Sequence, residues 1–401
     1  MTPLASSTCL ALGTAAALGL ARFAFGLLLP TMREQLDWSL GQAGALATAN
    51  GVGYLAGAVV VARLVRRFGA SWVFRVGMAS TTVSLAVTAA SGNFAFLSIT
   101  RITAGFAGAL VFIAGGIIAT RMAEAHGSAA PIVTYFSGTG LGIALSGIAI
   151  PQLLHRTDDL WSAGWLALGL LAGLATLGSW APAAHGGAIE SAPAPTRQPV
   201  RRMWRIATAY LLFGAGYITY ATFLDSYQQA HDASLAVRSA TWALLGVSVL
   251  CSPLLWSRAI SRWPGGRALA LLLTVVSAAA ALPLVHPGAA SLFTSAAIFG
   301  ATFMAVPSAV TALLGTEVQP HSRTAALATF TALFAIGQAV GPWLAGAIAD
   351  RTATGAALGW TVALCAIAGV LAASQRAATT PDQVPADDAT HGHEQVFGRR
   401  G

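Results

Sequence analysis

The sequence predicts an all-α membrane protein with twelve transmembrane helices in two six-helix halves. Three observations predict it: a composition that only lipid can solvate, apolar runs of spanning length, and a repeat that divides the chain in two. Hydrophobic residues make up 56% of the 401 positions and charged residues 9%, where a soluble domain carries roughly a quarter charged. Mean hydropathy is +0.68. So few charges cannot cover a water-facing surface, so lipid is the solvent for most of the chain.

A helix needs about 20 apolar residues to cross the hydrocarbon core. Runs of that kind fall at 8–31, 39–62, 72–91, 94–120, 130–153, 160–181, 204–226, 237–257, 267–285, 288–314, 323–349 and 355–374. Glycine and alanine recur in all of them, which suits close helix packing in lipid. No basic residue precedes Arg22, so the first run reads as a retained helix rather than a cleavable leader. The runs give an N-terminal half at 1–182 and a C-terminal half at 204–375. Between them lies a linker at 183–203, rich in proline and arginine. The tail at 376–401 has no apolar periodicity and is expected to be disordered and cytoplasmic.

Charge placement orients the bundle. With a cytoplasmic N-terminus, the inner connections carry Arg63, Arg66, Arg67, Arg121, Arg197, Arg201, Arg202, Arg205, Arg258, Arg262, Arg267 and Arg323. The outer connections carry only Arg33, Arg156, Arg238 and Arg351. That asymmetry is the positive-inside bias, and it fits the net charge of +8 better than a nucleic-acid-binding face does. Every basic side chain is arginine; there is no lysine. A P-loop and a retinal Schiff base both need one, so a nucleotide-driven pump and a rhodopsin are excluded. Cys9, Cys251 and Cys365 lack metal-ligand spacing and read as small buried hydrophobes. No cofactor or metal is expected.

The repeat has an offset of 195 residues. Gly19-Leu-Ala-Arg22 falls on Gly214-Ala-Gly-Tyr217, Arg67 on Arg262, Gly105 on Gly300 and His126 on His321. With a small insertion, Gly138, Gly142 and Gly147 match Gly337, Gly341 and Gly346. Two parallel six-helix repeats place a substrate site near the midplane where they meet.

The stretches Gly19-Leu-Ala-Arg22-Phe-Ala-Phe-Gly26-Leu-Leu-Leu-Pro30 and Gly337-Gln-Ala-Val-Gly341-Pro342 resemble the major facilitator superfamily, and within it the YbfB/YjiJ-type transporters. The resemblance runs from the first helix to the twelfth. It implies the major facilitator fold and a transporter rather than an enzyme. In the family the loop after the second helix reads like G-x-L-A-D-R-x-G-R-R; here it is Ala62-Arg-Leu64-Val-Arg66-Arg67-Phe-Gly69-Ala-Ser71. The resemblance makes Arg66, Arg67 and Gly69 the gating loop, with Arg66 standing where the family has its latching aspartate. Arg101 and Gly105 resemble the R-x-x-x-G signature of the fourth helix. Gly138, Gly140, Gly142 and Gly147 resemble a glycine-rich antiporter motif without its proline.

An arginine at the centre of a membrane helix costs roughly 2.5–3.5 kcal/mol, so a deep one marks a site to inspect. Arg22 and Arg101 each fall roughly 10 Å below the outer surface at 1.5 Å per residue. The resemblance puts both on cavity-lining helices. The functional reading is anion binding, because the planar guanidinium matches a carboxylate or phosphate. The structural alternative is that each bonds backbone carbonyls. Tyr217, Tyr220, Asn50 and Gln338 lie at similar depth and could donate hydrogen bonds or serve only packing. Asp225 is the candidate proton carrier, with a solvated rim acid as the alternative. Gly105, Gly138, Gly142, Gly337 and Gly341 are expected to let helices pack closely and rock.

These readings predict a secondary transporter in a bacterial inner membrane that moves a small anionic organic solute by alternating access. A proton is the candidate coupling ion, both termini are cytoplasmic, and the monomer in its lipid is the working unit. Two readings stay open beside it: efflux of lipophilic drugs, and a non-transporting receptor or sensor on the same scaffold.

Overall fold

The computed structural model describes residues 3–127, 130–157, 160–181, 183, 200–319 and 322–375. Most of the expected linker and all of the tail 376–401 lie outside these. Among the described residues the chain is helical throughout. Helix α1 (Pro3–Thr14) passes through a π-helical segment, Ala15–Phe23, into α2 (Phe25–Gln35). Then come α3 (Leu40–Phe68), α4 (Ala70–Thr88), α5 (Phe94–His126), α6 (Ala130–Arg156) and α7 (Trp161–Trp180). After the linker come α8 (Trp204–Ala230), α9 (Leu235–Arg262), α10 (Arg267–Val285), α11 (Ala289–Phe303), α12 (Ala305–Glu317), α13 (Arg323–Arg351) and α14 (Gly355–Ala373).

Joining α1 to α2 and α11 to α12 as continuous spans, eleven helical segments among the described residues are long and apolar enough to cross a membrane. Helix α4, where the sequence predicts a further span, falls short of that apolar length. Arg75 and a run of hydroxyl residues lower its hydropathy. The hydroxyls of Thr81 and Thr88 donate to the carbonyls of Gly77 and Ser84 one turn back, at 2.9 and 2.6 Å. Arg75 donates from Nε and Nη2 to the carbonyl of Trp180, the last residue of α7, at 3.0 and 2.7 Å.

The turns into α3 and α9 are built alike. Ser39 caps α3 in a reciprocal box with Gln42, and Ser234 caps α9 by accepting from the Val237 N–H. Two residues before each cap stands an aspartate with φ of 53°, Asp37 and Asp232. Aspartate tolerates the left-handed region because its short side chain bonds locally. Both pairs are separated by 195 residues.

Glycine packing repeats too, at 195 residues for Gly105 and Gly300 and at 199 for Gly138 and Gly142 against Gly337 and Gly341. A Cβ on Gly105 of α5 would fall on the Asn50 carbonyl of α3, and one on Gly300 of α11 would fall on the Leu245 carbonyl of α9. Gly138 and Gly142 of α6 lie against the carbonyls of Ala11 and Ala15, as Gly337 and Gly341 of α13 lie against those of Leu211 and Ala215. Such contact needs a residue without a side chain.

N-terminal and C-terminal helices meet along a seam where α3 packs on α13, α6 on α9, and α2 on α8. On α3 the tight glycine approaches to α13 run from Gly41 to Gly51. Gly44 lies against the Pro342 carbonyl and Gly51 against Ala339. Gly140 meets Gly246 across α6 and α9, and Gly26 of α2 meets the Ala221 carbonyl of α8. The α3–α13 and α2–α8 contacts lie toward the end of the bundle that carries Arg33, Arg156, Arg238 and Arg351, here called the arginine-poor end, and the Gly140–Gly246 contact lies near mid-span.

Candidate functional site

The candidate site begins at the π-helical segment. Its wider turn is marked by the Ala24 N–H bonding the Gly19 carbonyl, five residues back, at 3.0 Å. Single π turns inside α-helices are rare and concentrate at functional sites. Arg22 sits in this segment and is 7% exposed. Its Nη2 donates to Oε1 of Gln338 on α13, across the seam. Its guanidinium lies 5.2 Å from the ring centre of Tyr54 on α3. Two donors here have no partner among the described residues: Nε of Arg22 and Nε2 of Gln338. Gln338 is 1% exposed. Among the described residues no carboxylate pairs with Arg22; the buried carboxylate of Asp225 pairs with Arg238 instead.

Arg101 turns toward the N-terminal helices, and its own Nε is likewise buried without a partner among the described residues. Its Nη1 donates to the carbonyl of Ala21 at 2.6 Å, next to Arg22 in sequence. Its guanidinium lies 4.7 Å from the Phe25 ring and 5.3 Å from the Trp165 ring. Arg101 therefore braces the π segment from within the N-terminal helices. Asn50 donates from Nδ2 to the carbonyl of Arg101 at 3.2 Å. Tyr220 also turns away: its hydroxyl meets Oγ of Ser295 at 2.7 Å, and its ring stacks on Phe299 at 3.9 Å.

Tyr217 stays near the seam, stacked on Phe334 of α13 with ring centres 5.5 Å apart. Phe334 precedes Gln338 by four residues on α13, so the two share a face. The structure thus brings together Arg22, Gln338 and Tyr217, and adds Tyr54.

Asp225 is fully buried and held by two bonds: Arg238 donates from Nε to Oδ1 at 2.9 Å and from Nη2 to Oδ2 at 2.6 Å. It is neither a free cavity acid nor a solvated rim acid. A bidentate guanidinium–carboxylate pair is among the stronger charge-assisted contacts. In the expected gating loop, Gly69 separates α3 from α4 at φ 82°, a left-handed value that favours glycine. Arg66 and Arg67 are exposed there, and Arg67 lies over the Phe68 ring at 5.2 Å.

Sequence reasoning missed Tyr54 and Arg238. Both carried a signal. Tyr54 is one helical turn beyond Asn50, on the same face. Asp225 and Arg238 both lie within about a turn and a half of the loop between α8 and α9, where antiparallel neighbours meet.

Comparison with known proteins bears on the family and the fold. The family model described as "Uncharacterised MFS-type transporter YbfB" matches residues 14–375. The inner membrane transport protein YdhP of Escherichia coli O157:H7 is 24% identical over 286 residues, covering 70% of this chain and 73% of its own length. Among solved structures, the nucleoside transporter NupG superposes with a TM-score of 0.70 at 14% identity, covering 93% of this chain and 98% of its own. A bacterial homologue of the human lysosomal transporter Spinster, inward-facing and unoccupied, gives a TM-score of 0.66 at 14% identity, over 93% and 98%. At such identities the likeness establishes the shared fold.

Proposed function

The chain belongs to the YbfB-type family of major facilitator transporters, and from that premise we propose that it moves a small anionic organic solute by alternating access. The observation that carries the proposal is the pair of unpartnered donors, Arg22 Nε and Gln338 Nε2, buried on opposite sides of one seam. A buried donor without an acceptor costs about 1–3 kcal/mol. An anionic oxygen placed between them would relieve that cost and balance a charge that no carboxylate among the described residues balances. Arg22 and Gln338 act as counter-charge and donor, Tyr217 and Tyr54 as walls, and Arg101 and Asn50 hold the π segment in place.

In this reading residues 1–182 and 204–375 are two six-helix bodies that rock about the site. The repeated turns and glycine contacts support it. The arginine-rich end, with Arg63, Arg66, Arg67, Arg258 and Arg262, is cytoplasmic by the positive-inside bias, as are both termini. The seam is then sealed on the outer side and the conformation is inward-facing. Opening the other way requires α3 to part from α13 and Arg22 to release Gln338. A bound anion eases that step by taking over the Arg22 contact. Gly69 lets the loop with Arg66 and Arg67 turn sharply at the inner face. A proton enters through Asp225, whose protonation would give up the charge that holds Arg238. The unit of transport is the monomer in a lipid bilayer.

The test is thermal stability of the purified protein with small carboxylates, phosphates, sugars and lipophilic cations. A ligand that binds only the folded state raises Tm by mass action. Stabilisation by a carboxylate or phosphate, lost in Arg22→Gln, is expected. Stabilisation by lipophilic cations alone would overturn the anion site in favour of drug efflux.

A further inference from the structure

We infer that the solute is a planar aromatic acid, its carboxylate taken by Arg22 and Gln338 and its ring laid flat against Phe334 and Tyr217. This rests on the anion reading above and names the rest of the molecule.

Aromatic side chains in a core meet at many angles, and edge-to-face pairs are common. Elsewhere in this protein the angles vary: Trp38 and Phe94 cross at 88°, Tyr135 and Phe136 at 66° and Phe23 and Phe303 at 63°, while Phe25 and Trp165 lie at 28° and Tyr220 and Phe299 at 18°. Beside the two free donors a cluster of rings is near-parallel throughout. Phe334 stacks on Tyr210 at 4.6 Å and 9°, on Tyr217 at 5.5 Å and 12°, and on Phe213 at 5.8 Å and 14°. Phe213 and Tyr217 are 4.8 Å apart at 16°. Four rings from two helices thus share nearly one plane direction.

The sequence builds this array. Positions 210, 213 and 217 recur at spacings of three and four, the period of one helix face. They put three rings of α8 toward α13, where Phe334 answers. Phe334 is one turn from Gln338, so the array abuts the donors. It lies on their far side from the glycine seam, toward the arginine-rich end. Phe334 is only partly buried, unlike Phe213. A solute entering from the arginine-rich end meets the rings first and the donors last. A flat ring can slide in parallel to this array; a chair-shaped saturated ring of the same charge presents no π-face to it. The cationic Arg22 at the end of the track disfavours an aromatic amine and favours an aromatic acid.

The experiment uses matched pairs on the full-length protein in detergent. Benzoate is compared with cyclohexanecarboxylate, and 2-naphthoate with decahydronaphthoate, by Tm shift and titration calorimetry. The aromatic member of at least one pair is expected to bind about tenfold more tightly, the scale of one or two added ring contacts. Phe334→Leu should remove most of that preference while the saturated acids bind as before. The wild-type comparison needs no variant, so a misfolded Phe334→Leu protein leaves the test intact. Equal binding within both pairs would overturn the aromatic assignment and leave the anion site standing. Binding by none of the four acids, with phosphate or a short aliphatic acid bound instead, would likewise overturn the aromatic class alone. Failure of every anion would sink both.

Discussion

Asp350, in the last turn of α13, accepts from the backbone N–H groups of Leu40 at 2.7 Å and Gly41 at 2.8 Å, and so caps the first turn of α3 across the seam. The first N–H groups of a helix lack intrahelical acceptors, and a carboxylate there also meets the positive end of the helix dipole. In the proposed reading Arg66, at the arginine-rich end, stands where the resemblance would place a latching aspartate. Asp350 makes an acid-to-helix closure at the opposite end.

Asp350→Asn is therefore expected to favour opening of the arginine-poor end. An exposed carboxylate at a helix N-terminus is worth about 0.3–1 kcal/mol, or roughly a two- to fivefold change in population. A cysteine placed at Ala339, with Cys9, Cys251 and Cys365 changed to serine, reports the opening. Its labelling by a membrane-impermeant maleimide should speed up by that factor. An unchanged rate would remove Asp350 from the gate.

Two glycines separate packing within a body from packing across the seam. Gly105 faces the Asn50 carbonyl inside the N-terminal helices, and Gly246 faces Ala144 and Gly140 across α9 and α6. Overfilling a packed contact costs about 1–3 kcal/mol. Gly105→Ala has no way to relieve that cost and should lower Tm. Gly246→Ala can relieve it by parting the seam, so it should lower Tm less and raise maleimide labelling at the arginine-poor end. Equal behaviour of the two variants would argue against a hinged seam.

The membrane spans were legible because lipid demands long apolar runs, and the repeat because both copies keep glycine at the same contacts. The structure adds the twin turns Asp37-Trp-Ser39-Leu40 and Asp232-Ala-Ser234-Leu235 at the same offset. What the sequence does not expose is azimuth. Arg22 and Arg101 read as sharing one depth and one cavity, yet Arg101 turns to the Ala21 carbonyl because Gly105, one turn on, docks its helix against α3. The π turn adds to this, since one extra residue per turn rotates the downstream side chains about the helix axis. Tyr217 and Tyr220 differ by three residues and face different neighbours. The meeting of Arg22 with Gln338, 316 residues away, arises from helix packing that no local pattern encodes.

Asp225→Asn should destabilise the protein through its partner. Removing one member of a buried ion pair leaves the other uncompensated, at a cost of about 3–5 kcal/mol when burial is complete. The Arg238 side chain is 16% exposed, so the lower end applies. Adding Arg238→Gln should restore most of the lost Tm. The same double variant tests coupling. If it still accumulates solute in response to a pH gradient in proteoliposomes, Asp225 does not carry the proton.

Arg101 and Arg22 should fail in different ways. Arg101 bonds the Ala21 carbonyl beside Arg22, so its loss displaces the π segment while Arg22 keeps the counter-charge. A charged donor bond is worth about 1.5–3 kcal/mol, and stacking on Phe25 and Trp165 adds about 0.5–2 kcal/mol. Arg101→Gln should therefore lower Tm and weaken carboxylate binding about tenfold, since a misplaced donor loses roughly 1.4 kcal/mol of ligand contact. Arg101→Lys, which keeps one donor and the charge but not the planar stack, should fall between. The decisive readout is ligand charge. Arg101→Gln should still prefer a carboxylate over its neutral amide, because Arg22 remains. Arg22→Gln should bind the two alike. If Arg101→Gln also loses the preference, the counter-charge is shared and Arg101 belongs to the binding site itself.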